Sequence, residues 1–116
     1  TVGGGYANEA SGSSSTVGGG ERNDAIGYRS TVGGGLLNEA SGYISTVGGG
    51  SSNTAAGDYS FAAGNSANDG GNNNSFVWGG VSGGASAGVD TFNVWSSEIR
   101  LNGVVQHSSD RNHFFR

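Results

Sequence analysis

The 116-residue sequence contains no cysteine, proline, methionine or lysine, and charged residues make up only 12% of it. Without cysteine there are no disulfides and no thiolate metal sites, and the redox compartment stays open. The missing initiating methionine points to a segment of a longer chain. No basic cluster is present to neutralise phosphates, which argues against nucleic-acid binding. No run of about 18 apolar residues occurs, and no basic stretch leads into a short apolar core, so neither a membrane span nor a signal peptide is encoded in these residues. Val, Ile, Leu and Phe together fall just under the roughly 20% below which a chain usually lacks the apolar surface to fold alone. Glycine, by contrast, is abundant at 25 residues. Each interior glycine costs a helix about 1 kcal/mol relative to alanine, which excludes a helical bundle. The length allows one small domain.

What overrides a disordered reading is an internal repeat. Cut every fifteen residues, the chain reads TVGGGYANEASGSSS, TVGGGERNDAIGYRS, TVGGGLLNEASGYIS, TVGGGSSNTAAGDYS, FAAGNSANDGGNNNS and FVWGGVSGGASAGVD. Position 2 is Val2, Val17, Val32, Val47, Ala62 and Val77; position 4 is always glycine. Position 8 runs Asn8, Asn23, Asn38, Asn53, Asn68 and then Gly83; position 10 is alanine except at Gly70. Small or apolar residues thus recur at positions 2, 4, 8, 10 and 12, the period-two pattern of strands with one buried face. Fifteen residues hold two short strands and two turns. Stacked about 4.8 Å apart, such units form an all-β parallel β-solenoid or β-roll of about six 15-residue coils over residues 1–90. Its interior must be narrow. One Val and one or two Ala per coil bury little area at about 25 cal/mol per Å² against the entropy of ordering fifteen residues. The deficit predicts association with other rolls, covering outward residues such as Leu36, Leu37, Tyr43 and Ile44.

Thr16, Val17, Gly18, Gly19, Gly20, Asn23, Ala25, Gly27 and Ser30, with their counterparts in the other early units, give the phrase T-V-x-G-G-x-x-N-x-A-x-G-x-x-S. This resembles the head repeat of YadA-like trimeric autotransporter adhesins, S-V-A-I-G-x-x-S-x-A-x-G, over residues 1 to about 80. The resemblance implies a left-handed roll, a homotrimer, and display on a bacterial surface or virion fibre where it binds a host-cell glycan or matrix protein. Two departures stand out: the second aliphatic of that motif is glycine here (Gly4, Gly19, Gly34, Gly49), and the unit is one residue shorter.

Beyond Asp90 the alternation in residues 91–96 and 98–101 predicts two more strands, and Asn102-Gly103 is a strong two-residue hairpin signal. Residues 91–106 therefore read as a capping β-hairpin segment and 107–116 as a polar tail. The stretch from His107 to Asn112 resembles the junction before an endosialidase-type intramolecular chaperone of tail fibres, which implies a candidate autocleavage junction at Ser108, Ser109 and Asp110. The lysine-containing helix that usually follows is absent, and an ordinary polar C-terminus is the alternative.

Other chemistry finds little support. His107 and His113 flank Ser108, Ser109 and Asp110 without the scaffold a hydrolytic triad requires. The acids at position 9, Glu9, Asp24, Glu39 and Asp69, read as a solvated edge with no second carboxylate beside them. The asparagine column reads as an internal hydrogen-bonded ladder. Glycine runs lack the Lys-Ser/Thr of a phosphate loop and read as turns. No cofactor or metal is expected and no enzyme activity. Positions 6, 7, 13 and 14 vary on a constant frame, which marks a display surface with Tyr28, Arg29, Tyr43 and Tyr59 as candidate binding residues; packing of those tyrosines between chains is the competing reading. The expected function is a structural or adhesive fibre segment. The alternatives are a stalk without ligand, or an ice-binding solenoid built on the column Thr1, Thr16, Thr31 and Thr46.

Overall fold

A computed structural model describes residues 1–80 and 83–103. Every regular element among them is β, and the chain winds as a parallel β-solenoid. One sheet holds β1 (Thr16–Val17), β3 (Thr31–Val32), β5 (Thr46–Ser51), β7 (Phe61–Asn65), β9 (Phe76–Gly79) and β11 (Phe92–Val94), neighbours in that order. The other holds β2 (Asp24–Ala25), β4 (Glu39–Ala40), β6 (Thr54–Ala55), β8 (Ala67–Asn68) and β10 (Gly84–Ala85). All strand pairs are parallel, and in the early coils like positions stack: Thr16 on Thr31 on Thr46, Val17 on Val32 on Val47. Val2 adds a further rung by pairing with Val17. The body measures 48 × 24 × 23 Å.

The period-two pattern sets the interior as expected at positions 2, 8, 10 and 12 of the regular coils, whereas position 4 does not face it: a Cβ at Gly4 or Gly49 would meet open space. Val17, Val32, Val47 and Val77 face Ala25, Ala40 and Ala55 across a core with no larger apolar side chain. Asn23, Asn38 and Asn53 at position 8 and the serines at position 15 are also buried. Serine breaks the even parity because the residue before it sits in the left-handed region, as at Ser14, Arg29, Ile44 and Tyr59 with φ between 51° and 59°. Ala7, Arg22, Leu37 and Ser52 form an equivalent corner at position 7. A left-handed residue reverses the chain direction locally, so each coil turns at two side-chain-bearing corners. Glycine is required at position 5, where φ is 90° at Gly5 and 91° at Gly20, and where a Cβ would run into the carbonyl oxygen of the next coil.

The fifteen-residue register holds for four coils and then slips, which corrects the strict six-fold cut. Val47 stacks on Ala62, but Gly50 stacks on Gly64 because residues 61–65 hold one glycine where earlier coils hold three. Ala67, not Asn68, therefore takes the asparagine position, and Asn68 pairs with Thr54. Asp69 moves inward to the alanine position and is fully buried, correcting its assignment to a solvated edge. The two glycines Gly70 and Gly71, both at positive φ, restore the spacing. In the sixth coil Gly84 pairs with Ala67, a further slip.

Past Asp90, β11 continues the first sheet by pairing with β9, so the expected capping segment begins as another rung. Residues 98–101 form no strand, so the first arm of the expected hairpin is absent; its second arm, 104–106, lies outside the described residues.

Candidate functional site

Two stacks of side chains run along the solenoid. Inside, each asparagine amide is tied to the next. Asn38 Nδ2 donates to Asn23 Oδ1 at 3.0 Å, to the Gly34 carbonyl at 2.8 Å and to the Gly50 carbonyl at 3.0 Å. Asn38 Oδ1 accepts from both the backbone N–H and Nδ2 of Asn53, each at 3.0 Å. Asn23 repeats the pattern with Asn8. The ladder read from the sequence is thus present from Asn8 to Asn53, and it ties one sheet to the glycine corner in the four regular coils.

In the fifth coil Asp69 replaces a different set of bonds. In regular coils the N–H groups of positions 11 and 12 both donate to the alanine carbonyl of the next coil, as Ser41 and Gly42 do to Ala55. Here Ala56 N–H donates to Asp69 Oδ1 at 3.0 Å and Gly57 N–H to Oδ2 at 2.8 Å, with Gly71 N–H adding a third at 3.0 Å. A carboxylate thus stands in for a displaced carbonyl.

Outside, the position 13–14 corner gathers the candidate binding residues. Tyr28 and Tyr43, both at position 13, stack with centroids 5.3 Å apart and an interplanar angle of 8°. Tyr59 comes from position 14 instead and meets Tyr43 edge-on, at 5.5 Å and 78°. The Arg29 guanidinium lies 4.9 Å above the Tyr28 ring. Asp58 occupies position 13 of the fourth coil, and its Oδ1 accepts from the Tyr43 N–H at 3.0 Å. All four predicted residues, Tyr28, Arg29, Tyr43 and Tyr59, therefore lie in one exposed row. With Tyr28 and Tyr43 stacked on each other, the row offers ring edges, phenolic hydroxyls, the exposed Tyr59 ring and a guanidinium. Such a surface recognises hydroxyl-rich or anionic groups by hydrogen bonding.

A second aromatic row went unread in the sequence. Phe61 and Phe76 replace threonine at position 1, Phe92, one residue past that position, joins them where β11 pairs with β9, and the three rings stack at 4.9 and 4.6 Å. Beside them Gly48, Gly49, Gly50, Phe61, Ala63, Gly64 and Trp78 line an open apolar hollow of about 390 Å³. The replacement of Thr by Phe at Phe61 and Phe76 was its signal.

On the second sheet Glu9 pairs with Asp24 and Asp24 with Glu39. Partial burial, then the adjacent Glu9 and Glu39 carboxylates, push the Asp24 carboxyl above its usual range. Among the described residues no group of three or more His, Cys, Asp or Glu side chains is placed to hold a metal ion. The junction residues Ser108, Ser109 and Asp110, with His107 and His113, lie outside the described residues. No family model matches the sequence, and no curated protein matches it.

Proposed function

We propose that this chain is a non-enzymatic β-roll segment of a homotrimeric, extracellular fibre on a bacterial surface or virion, and that it binds a cell-surface glycan or matrix component through Tyr28, Arg29, Tyr43 and Tyr59. The observation that carries this reading is the row itself: variable residues at one corner of an invariant frame meet in a continuous exposed strip. Trimer formation is supported by the thin valine and alanine core and by large apolar side chains left exposed, including Tyr6, Leu36, Leu37 and Trp95. Association would cover surface that a core of this width cannot.

The test is a double variant, Tyr28→Ser with Arg29→Ser, assayed for adhesion to cells and to a glycan panel alongside light scattering and thermal melting. Loss of adhesion with an unchanged particle mass and melting temperature is expected. Parallel loss of adhesion and assembly would place the row between chains and overturn the reading. The ice-binding alternative keeps one point in its favour, the in-register rank Thr16, Thr31 and Thr46. That rank stops at Phe61 and is flanked by Gly18, Gly33 and Gly48, so it forms no paired threonine surface.

A further inference from the structure

The chain has two tryptophans, and each walls a hollow. Trp78 closes the apolar hollow of about 390 Å³ beside the phenylalanine row, over Gly48, Gly49 and Gly50, which bring no side chains to it. Trp95 walls a second hollow of about 340 Å³ with Ser66, Gly83, Gly84 and Ala85. The two tryptophans come from neighbouring rungs, since the Trp95 N–H donates to the Trp78 carbonyl at 2.9 Å. One short stretch of chain parts the hollows: Gly64 lines the first and Ser66 the second. Between them sits the exposed Asn65, whose Oδ1 accepts from Ser66 Oγ at 3.2 Å. Trp78 is 45% and Trp95 52% exposed. Trp95 is nevertheless fixed, because its Nε1 donates to the Ala85 carbonyl at 2.8 Å and its ring lies against Gly84. Among the described residues no charged side chain lines either hollow.

We infer that the two hollows form one binding site for a neutral oligosaccharide, with adjoining sugar rings laid on Trp78 and Trp95 and their hydroxyls bonded to Asn65 and Ser66. A pyranose with equatorial hydroxyls has an apolar face of C–H bonds, which the electron-rich face of an indole attracts, and a rim of hydroxyls that needs donors and acceptors. Two tryptophans around a side-chain amide and a hydroxyl meet both demands. Each hollow falls at the lower end of the range of about 300–1,000 Å³ typical of small-molecule sites. A pinned indole and a backbone floor lose little freedom when a ligand binds.

The lining also selects the occupant. Without a charge to pair, it favours a neutral sugar over an acidic one, unlike the tyrosine row, where Arg29 supplies a cation. A protein is the poorer occupant, because a stable contact buries about 1,200 Å² or more, and here a polar corner parts two small hollows. The contact between chains then falls to Tyr6, Leu36 and Leu37, with Trp95 left to the second hollow. This site does not rest on the tyrosine row.

Because both tryptophans lie in the site, their fluorescence reports on it directly. The probes are cellohexaose and chitohexaose, titrated separately into the full 116-residue chain with fluorescence and calorimetry as readouts. A saturable response to at least one of them is expected. Trp78→Ala should weaken it about tenfold and Asn65→Ala about threefold. Asn65 is exposed, so its variant keeps the test open if Trp78→Ala melts lower. No saturable response to either hexasaccharide, or full-strength binding by either variant, would overturn the inference. A fluorescence change that follows protein concentration without sugar would assign the hollows to contact between copies and overturn it as well. Loss of binding in Tyr28→Ser with Arg29→Ser, while Trp78→Ala binds normally, would move the sugar to the tyrosine row and likewise overturn it.

Discussion

Truncating the central asparagine, Asn38→Ala, isolates what the internal ladder contributes. The substitution leaves the buried Asn53 N–H without its acceptor, Asn38 Oδ1, and the Gly34 carbonyl without the Nδ2 donor. The Gly50 carbonyl is less affected, because it still accepts from the Leu36 N–H at 3.0 Å. Each buried group left unpaired costs about 1–3 kcal/mol. Two such groups, with a small void added, put the loss at about 4 kcal/mol per chain. Asn8→Ala is the matched control. Asn8→Ala also removes the acceptor of the buried Asn23 N–H, but its bonds to Gly4 and Gly20 lie at an exposed site where water can replace them, so a smaller loss of about 2 kcal/mol is expected. Denaturant unfolding followed by far-ultraviolet circular dichroism, with unchanged m-value, measures both. Equal losses for the two variants, or a loss under about 1 kcal/mol for Asn38→Ala, would refute the view that the ladder is a principal tie between coils.

Three further outcomes follow from other positions. Val32→Asp places an unpaired charge in a fully buried site and should cost several kcal/mol and abolish assembly by light scattering; a variant with unchanged melting temperature would reverse the assignment of the inward face. Asp69→Asn and Asp69→Ala should each cost about 3 kcal/mol in denaturant unfolding, since either leaves donors at Ala56 or Gly57 unmatched, whereas a residue on a solvated edge would tolerate both. Because the Asp24 carboxyl titrates above its usual range, the folded chain holds that proton more tightly than the unfolded chain. Stability from this group is therefore highest at acid pH and falls as pH rises through the raised value. Asp24→Asn should gain about 0.5 kcal/mol at pH 7, a figure kept low for solvent exposure, and nothing at pH below the usual carboxylate range; melting temperatures across pH measure it.

The parts of this architecture legible in the sequence are those where one residue answers to one physical demand. Val17, Val32 and Val47 mark the inward face because alternation is a direct consequence of strand geometry, and the asparagine column could be assigned to the interior because a polar residue kept in register there needs a partner in the next coil. Tyr28, Tyr43 and Arg29 could be placed together because equal repeat positions stack. The fifth coil was illegible for the opposite reason. A fixed fifteen-residue cut cannot distinguish a missing glycine before Ala67 from an extra one after Asp69, since the two errors cancel by Ser75. The buried carboxylate of Asp69 depends entirely on that local slip, and no periodicity announces it.

The direction of the hydrogen bonds between coils has a mechanical consequence. Because the polypeptide advances one rung per coil, tension applied along the stack between an early and a late coil pulls rungs apart in series instead of shearing long strands past one another. Each coil would peel as a unit. The fifteen residues it releases span about 50 Å when extended, against about 4.8 Å in the stack, so every detached coil lengthens the strand about tenfold. A stack of this kind is stiff under compression and extensible under tension, so it dissipates a sudden pull through reversible unwinding.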